Sequence, residues 1–408
     1  MTAREERAPG RGAGSRSTLL FGAAVSASGI AIFAQVYSMQ GLLPPIAAEL
    51  QVPASTAALV LSATTLGIAI GAIPWALLSE RIGRVPVIRL CMIASAVLAA
   101  LSALAPDFTS LVALRLLTGL AVGGLPALVV SYITERAATS NAVRMIGLYI
   151  AGTTLGGLSG RVIGSVFGET LGWRVGVAAS AILSAGCAAV FLLWSARTAP
   201  AAAASTRAKA SFRDIWRPGL LVLYAQGALL MGAWVSLFNY LGFHVAEPPF
   251  DIPRALVFLF FFAYVMSWAA APLTTAVVAR LGDRWALALA ELGLICGFAV
   301  VLIPHLAAMI AGLIILALTF FSAHATASRM TAEAGGASRA LASSFYVISF
   351  YVGGSLFGWL SGVVYENGGW AALIAFCAGL IALALAAIAL WGAGARLRAG
   401  ALSGRGRP

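Results

Sequence analysis

Long apolar runs dominate this chain and limit what it can fold into. Of its 408 residues, 61% are hydrophobic and 10% are charged, and a water-soluble domain does not carry so much apolar surface. A helix of about 20 residues crosses the hydrocarbon of a bilayer, where open backbone structures would lack hydrogen bonds. We therefore predict twelve membrane-spanning helices. They cover residues 18–42, 55–79, 86–105, 108–133, 143–167, 172–194, 219–244, 255–279, 286–303, 306–328, 340–365 and 370–391.

The distribution of positive charge predicts how these spans are oriented. The net charge of +12 is compatible with a nucleic-acid partner, but 22 of the 26 Lys and Arg residues lie in the two tails and in the loops that join even to odd spans. Such basic loops stay on the cytoplasmic side of a membrane. We expect both termini in the cytoplasm and no nucleic-acid partner. The first span is too long for a signal-peptide core, so we expect it to be retained.

The two halves of the chain repeat one design. Residues 148–173 resemble residues 345–370 at an offset of 197, and an offset of 199 aligns residues 77–87 with 276–286 and Gln40 with Asn239. Internal duplication in a membrane chain is typical of transporters that bind their substrate between the repeats. The identical pairs at offset 197 include Tyr149/Tyr346, Glu169/Glu366, Gly172/Gly369 and Trp173/Trp370.

The longest stretch without a span separates the two halves. It is the basic, Ala- and Ser-rich segment SARTAPAAAASTRAKASFRDIWRP. The sequence therefore predicts an all-α membrane protein of twelve transmembrane helices in two pseudo-symmetric six-helix bundles. The predicted parts are a basic tail at 1–17, a bundle at 18–194, a linker at 195–218, a bundle at 219–392 and a basic tail at 393–408.

Small residues follow two patterns inside the spans. Glycines recur at every fourth residue in spans 4, 5 and 11, a spacing that favours close helix packing; a contact that slides during a transport cycle is the alternative. The cysteines lie in separate apolar spans without metal-ligand spacing, and we interpret them as small core residues. They are Cys91, Cys187, Cys296 and Cys377.

The loop between spans 2 and 3 carries a family signature. We expect about four residues with a glycine turn there, and ALLSERIGRVP at 76–86 resembles the signature loop of the major facilitator superfamily, in which a small residue precedes an acid, a base, a glycine and further bases. In span 4, Arg115, Thr118 and Gly119 resemble a second motif of that superfamily. The resemblance implies the superfamily's fold, a place in a bacterial cytoplasmic (inner) membrane, and kinship with efflux-type facilitators of sugars or drugs.

The resemblance also implies conformational latches at the cytoplasmic side. In the family, the loop acid engages the start of span 11, and a loop base meets the cytoplasmic end of span 4. Glu80 with the region of Arg339, and Arg84 with Glu135, are the corresponding pairs here. The alternative is that these charges only follow the positive-inside rule. The latch candidates are Glu80, Arg81, Gly83, Arg84, Glu135 and Arg339.

Two arginines lie inside predicted spans. Arg115 and Arg161 are each about seven residues from the outer end of their span, which places both roughly 10 Å deep. A buried arginine stays charged and needs a counter-ion, a carbonyl group or water, and no carboxylate lies within the first-half spans. Either both side chains snorkel to the outer headgroups, or both face a central cavity whose wall would favour anionic or oxygen-rich substrates.

Other polar residues inside spans are further candidates. Five of them either hydrogen-bond a solute or only bridge helices, namely Gln35, Gln40, Tyr149, Asn239 and Tyr240. Glu291 and His324 lie about one turn from the cytoplasmic ends of spans 9 and 10. They either pair with each other or with Arg329, or they couple transport to protons, since a histidine titrates near neutral pH.

Missing motifs narrow the function further. The sequence has no GxxxxGK[ST] phosphate loop, which excludes ATP-driven pumping, and it has neither HExxH nor paired histidine ligands, so we expect no metal site, no other cofactor and no enzyme activity. We predict a monomeric secondary transporter in the lipid bilayer that exports a small organic solute by proton antiport. Proton-coupled or facilitated uptake is the alternative. A non-transporting membrane receptor or scaffold is the third class.

Overall fold

The computed structural model describes residues 11–136, 139–196 and 213–404, and within these ranges the secondary structure is helical, with no strand. The α-helices are α1 (Arg11–Tyr37), α2 (Leu43–Leu50), α3 (Ala54–Ile82), α4 (Arg84–Ser102), α5 (Phe108–Val122), α6 (Leu125–Arg136), α7 (Thr139–Leu171), α8 (Trp173–Ala196), α9 (Pro218–Val245), α10 (Ser267–Leu281), α11 (Asp283–Val300), α12 (Leu306–Ala334) and α13 (Arg339–Gly404). Short 3₁₀ segments occupy Ser38–Gly41, Asp214–Trp216, Arg254–Met266 and Gly336–Ser338.

The twelve predicted spans are confirmed as helical, with three differences in detail. Span 4 is built from α5 and α6, span 8 begins as the 3₁₀ segment Arg254–Met266 and continues as α10, and spans 11 and 12 share α13, which is interrupted at Gly369 (φ 68°). Nine segments of the described chain are long and apolar enough to cross a membrane, and the 56-residue segment Gly336–Trp391 holds two spans. Glycine-rich α7 and short α11 complete the twelve. Most of the predicted linker, 197–212, lies outside the described residues, as do 1–10 and 405–408.

Turn glycines repeat at the offsets that the sequence predicts. The loop between α3 and α4 is one residue, Gly83 (φ 90°), so the expectation of about four residues was wrong. Its counterpart Gly282 (φ 76°) separates α10 from α11 in the same way, and Gly172 (φ 93°) and Gly369 (φ 68°) end spans 5 and 11. Because L-residues with a side chain rarely adopt such φ values, a glycine allows the chain to reverse within one residue.

The glycines of α7 allow it to lie directly on α1. A Cβ atom at Gly152, Gly156 or Gly160 would collide with the backbone of α1, so the spacing serves close packing. The interpretation of the cysteines as core residues was wrong for Cys296, which is exposed on α11. An apolar sequence does not distinguish a helix face that meets lipid from one that meets another helix.

Candidate transport pathway between the two halves

The two ends of the molecule are named by their charged residues. The basic end carries the ion pairs Arg84–Glu135 and Asp283–Arg329. The opposite end, called the closed end below, carries the pair Glu49–Arg174 and the N-terminus of α3. Each of these two basic-end pairs lies within one half. The pairs occupy equivalent places with the charges exchanged, because the basic residue begins α4 in the first half and the acidic residue begins α11 in the second.

The two halves are in contact at the closed end, and their central helices are less buried toward the basic end. Residues 230–242 of α9 are all buried, whereas nearer the basic end Ala225 is exposed and Ala228 and Leu229 are half-buried. On α1, the half-buried residues Ile30 and Phe33 share a face with Tyr37, which interacts with Tyr351 of the other half. Both central helices are thus less covered toward the basic end than at the closed end, and we infer that a cleft opens between the halves there.

Hydrogen bonds join the halves at the closed end. Glu366 of α13 accepts a hydrogen bond from the backbone N–H of Ser55 at 2.8 Å and thereby caps α3, whose own N-cap residue is a proline without a capping side chain. Deeper in the same seam, the Ser355 hydroxyl donates to the carbonyl oxygen of Ser62 at 2.8 Å. These contacts seal the seam between α3 and α13 from the closed end toward the middle of the bilayer.

Arg161 is the centre of the contact between α7 and the 3₁₀ segment Arg254–Met266. Its side chain is 1% exposed. Its Nε donates to Oε1 of Gln40 at 2.7 Å, its Nη1 to the carbonyl oxygen of Gly157 at 2.7 Å, and its Nη2 to the hydroxyl of Tyr264 in the other half at 2.8 Å. The rings of Tyr37 and Tyr264 lie 4.2 and 4.1 Å from its Cζ. The guanidinium points into the protein between the halves, and it does not snorkel.

Gln40 and Asn239 are equivalent residues of the two repeats, and they contact each other. Nε2 of Gln40 donates to Oδ1 of Asn239 at 2.9 Å. Two residues that a two-fold operation exchanges can touch only close to its axis, so the pseudo-two-fold axis of the molecule passes beside this pair. Between this pair and the closed end, a small cavity of about 10 Å³ beside Glu169 and Phe261 has room for one water molecule. Five residues lie where the space between the halves ends, and they are called the apex network: Arg161, Gln40, Asn239, Tyr264 and Tyr37.

Arg115 is as deeply buried as Arg161, yet all its contacts lie within the first half. Its Nε donates to Thr64 at 3.1 Å, and its Nη2 donates to the carbonyl oxygens of Gln35 and Val36 at 2.8 and 3.2 Å. These two carbonyl groups are at the C-terminal end of α1, which carries partial negative charge. Arg115 therefore fastens α5 to the end of α1 and to α3.

The remaining polar candidates are buried in different surroundings. The Oε1 atom of Gln35 and the hydroxyl of Tyr149 are buried and have no partner among the described residues, and Tyr149 lies near enough to Tyr351 of the other half to interact with it. Tyr240 donates to the carbonyl oxygen of Gly358 at 3.0 Å, a contact inside the second half. Tyr240 thus bridges two helices of its own bundle.

Glu291 and His324 do not pair with each other. Both carboxylate oxygens of Glu291 are buried without a hydrogen-bond partner among the described residues. Nδ1 of His324 lies 3.0 Å from the hydroxyl of Tyr346, and Arg329 contacts Asp283 and Glu333 instead. The pairing alternative was therefore wrong for both residues.

The latch candidates lie at the basic end. Arg84 and Glu135 form an ion pair, and Arg84 also donates to the carbonyl oxygen of Ser131 at 3.2 Å. Glu80 and Arg81 are in the last turn of α3, next to Gly83. Arg339 begins α13, which packs along α3. The candidates thus lie at the basic-end termini of α3, α4, α6 and α13.

Comparison with known proteins identifies the family. Residues 19–333 match the Major Facilitator Superfamily, and the chain is 31% identical over 367 residues to the inner membrane transport protein YnfM of Escherichia coli (strain K12), covering 89% of this chain and 88% of that one. The chain belongs to the major facilitator superfamily. It is a multi-pass membrane transporter, not an enzyme. It is also 28% identical over 373 residues to the MFS-type transporter YybF of Bacillus subtilis (strain 168), covering 90% of each chain.

Solved structures of the superfamily share the fold. The nucleoside transporter NupG (D323A mutant) superposes with a TM-score of 0.74 at 16% identity, covering 92% of this chain and 99% of that chain. A bacterial homologue of the human lysosomal transporter Spinster superposes with a TM-score of 0.71 at 18% identity, covering 93% and 95%. The expectations of the superfamily and of twelve transmembrane helices in two bundles are thus confirmed.

Several residues of the pathway, Tyr37 of the apex network among them, escaped the sequence analysis. Tyr264, the partner of Arg161, stands in the uniformly apolar stretch LVFLFFFAYVM, and Ser62 and Ser355 stand in ordinary apolar spans. Glu366 was visible only as one identity in the repeat. What marks all of these residues is contact between the halves, which a pattern within one span does not reveal.

Proposed function

We propose that this protein is a secondary active transporter that exports a small organic solute in exchange for protons, by alternating access at the apex network. One observation carries the proposal: the halves are joined at one end by hydrogen bonds through Arg161–Tyr264, Gln40–Asn239 and Ser55–Glu366, while their central helices are less buried toward the other end. A rocking motion of two bundles about a central site requires this kind of reversible seal.

The proposed orientation places the basic end in the cytoplasm and both termini with it, in the inner membrane of a bacterium. The basic loops support this orientation. The structure then corresponds to a state open to the cytoplasm, and the bundles proposed at 18–194 and 219–392 act as the two moving bodies. We propose a monomer, because one chain already holds both bundles and the cleft between them.

Glu291 is the proposed proton carrier. Its carboxylate is buried without a partner, and a charged carboxylate without hydrogen bonds is costly inside a membrane protein. The neutral form is therefore favoured here, and a proton bound at Glu291 can be released when its surroundings change. His324, held beside Tyr346, is the second candidate for this role.

Everted membrane vesicles test the proposal directly. An exporter coupled to protons dissipates a preformed pH gradient when its substrate is added, so a pH-sensitive dye should report a substrate-dependent change that Glu291→Gln abolishes. No response to a broad panel of solutes would refute proton antiport. Accumulation by whole cells that is lost in a deletion strain would instead support uptake, and binding without transport would support a receptor.

A further inference from the structure

We propose that Arg161 is the binding site for the carboxylate of the transported solute, and that this solute is a small planar organic acid. The inference rests on the proposed function and deepens it, since it names a substrate class for the apex network. Three observations on Arg161 support it: some of its N–H groups have no acceptor among the described residues, its charge has no counter-ion there, and flat aromatic rings surround its guanidinium group.

The protein uses only part of the hydrogen-bonding capacity of Arg161. A guanidinium group has five N–H donors, and Gln40, Gly157 and Tyr264 accept from three of them. One N–H on Nη1 and one on Nη2 have no acceptor among the described residues. Two donors on adjacent nitrogens are what the two oxygens of a carboxylate require for a paired interaction.

The charge of Arg161 also lacks a partner. Its three acceptors are neutral groups, and the ion pairs of the described chain lie at the two ends of the molecule. Removing a charge from water is costly, and an opposite charge within the same site offsets this cost. A solute that brings its own negative charge supplies the counter-ion when it binds, whereas a cationic solute would be repelled.

The surroundings of Arg161 suit a flat molecule. Tyr37 and Tyr264 place their rings beside the guanidinium, and Phe33 stacks on Tyr37 with ring centroids 6.0 Å apart. Phe33 and Tyr37 are half-buried and lie one turn apart on α1, with Phe33 nearer the basic end, so a planar solute entering from that end meets their rings before its carboxylate reaches Arg161. Aromatic rings favour stacked or edge-on contact with other flat groups.

Equilibrium binding to the purified, full-length protein tests the proposal without any gradient. The probes are benzoate, 4-hydroxybenzoate and nicotinate, each compared with its neutral amide of the same shape at neutral pH. We expect each acid to bind at least about tenfold more tightly than its amide, because hydrogen bonds to a charged group exceed those between neutral groups. The proposal would be overturned if none of the acids bound measurably at concentrations up to about 10 mM, because weaker binding than this does not indicate a specific site.

Variants assign the preference to Arg161. Arg161→Gln should weaken binding of the acids by about tenfold to about a hundredfold and leave the amides unchanged. Arg161→Lys keeps the charge without the paired donors and should fall between. Arg174→Gln removes a half-exposed arginine at the closed end and serves as the matched control. A preference for acids that survives in Arg161→Gln would overturn the proposal.

A second variant covers the case in which Arg161→Gln does not fold. Gln40→Glu keeps Arg161 and gives it a carboxylate at the place where Gln40 accepts from its Nε, so the site then holds its own counter-ion and the preference for acids should be lost. A preference for acids that survives in Gln40→Glu would overturn the proposal. Acids that bind through Arg161 but move no protons in vesicles would refute the antiport mechanism alone, and proton exchange driven by neutral solutes would refute this inference alone.

Discussion

Tyr264→Phe tests whether the apex network keeps the closed end shut. The substitution removes the one hydroxyl that accepts from Nη2 of Arg161 at 2.8 Å and keeps the ring that lies 4.1 Å from the guanidinium carbon. A hydrogen bond to a charged group contributes about 1.5–3 kcal/mol, and each 1.4 kcal/mol changes an equilibrium about tenfold. Because this bond joins the two halves, its loss should raise the ratio of open to closed molecules at this end by about tenfold to about a hundredfold.

Cysteine labelling measures that ratio. Ser55→Cys, introduced after the four native cysteines are replaced, places a thiol in the seam under Glu366, where Ser55 is buried. A maleimide that does not cross membranes, added outside intact cells, reacts with this thiol only when the closed end opens. Thr109→Cys, exposed at the same end, should be labelled equally fast in all variants and corrects for expression.

Tyr224→Phe is the matched control. Tyr224 is a buried tyrosine of the same half, and its hydroxyl has no partner among the described residues, so its removal breaks no described bond between the halves. Faster labelling in Tyr264→Phe and not in Tyr224→Phe supports the argument. Equal rates in Tyr264→Phe and the parent protein would refute it, because the bond would then contribute nothing to the closed state.

Three further predictions concern helix ends and packing. Glu366→Ala removes the cap that the second half provides to α3 and should accelerate maleimide labelling of the Ser55→Cys thiol by about 2- to 30-fold. Gly119→Ala should lower the melting temperature, since a Cβ there would overlap the backbone carbonyl of Thr64, whereas Gly186→Ala, with open space around it, should not. Asp107 accepts hydrogen bonds from the backbone N–H and the hydroxyl of Ser110 in the first turn of α5, and these bonds lower the pKa of its carboxyl group. The ionised carboxylate of Asp107 therefore stabilises the folded protein at pH values above about 4, the pKa of an aspartate in an unfolded chain. Asp107→Ala should lower the melting temperature at neutral pH, and the gap between variant and parent should shrink as the pH falls from about 5 to about 3.

Hydropathy and the repeat revealed much of the fold because each reports a constraint imposed along the chain. Lipid requires helices about 20 residues long, so the apolar runs gave the spans. Duplication copies turns as well as helices, so the alignment pairs Gly83 with Gly282 and Gly172 with Gly369, and all four have a positive φ. Neither signal shows where a helix changes its hydrogen bonding, as at Arg254–Met266, because the side chains there are uniformly apolar.

The candidate site could be predicted only in part. An arginine inside a span announces itself, since its charge must be accommodated, and Arg115 and Arg161 were found for that reason. Their roles could not be separated from the sequence, because both lie at the same predicted depth. The separation comes from the partners: Arg115 reaches carbonyl groups of its own half, and Arg161 reaches Tyr264 across the interface. Such partners belong to the packing of two bundles and leave no local pattern.

The asymmetry of the repeat bears on what Arg161 is for. Gln40 and Asn239 occupy equivalent places beside the axis, and the residue at offset 197 from Arg161 is Gly358, where a Cβ would lie 3.4 Å from Nδ2 of Asn239. Gly358 therefore borders Asn239 as Arg161 borders Gln40. Features that serve the shared scaffold, such as the turn glycines, are kept in both halves. The charge at the apex is present in one half only, so the fold does not require it, and a role in recognising a solute that lacks two-fold symmetry accounts for it.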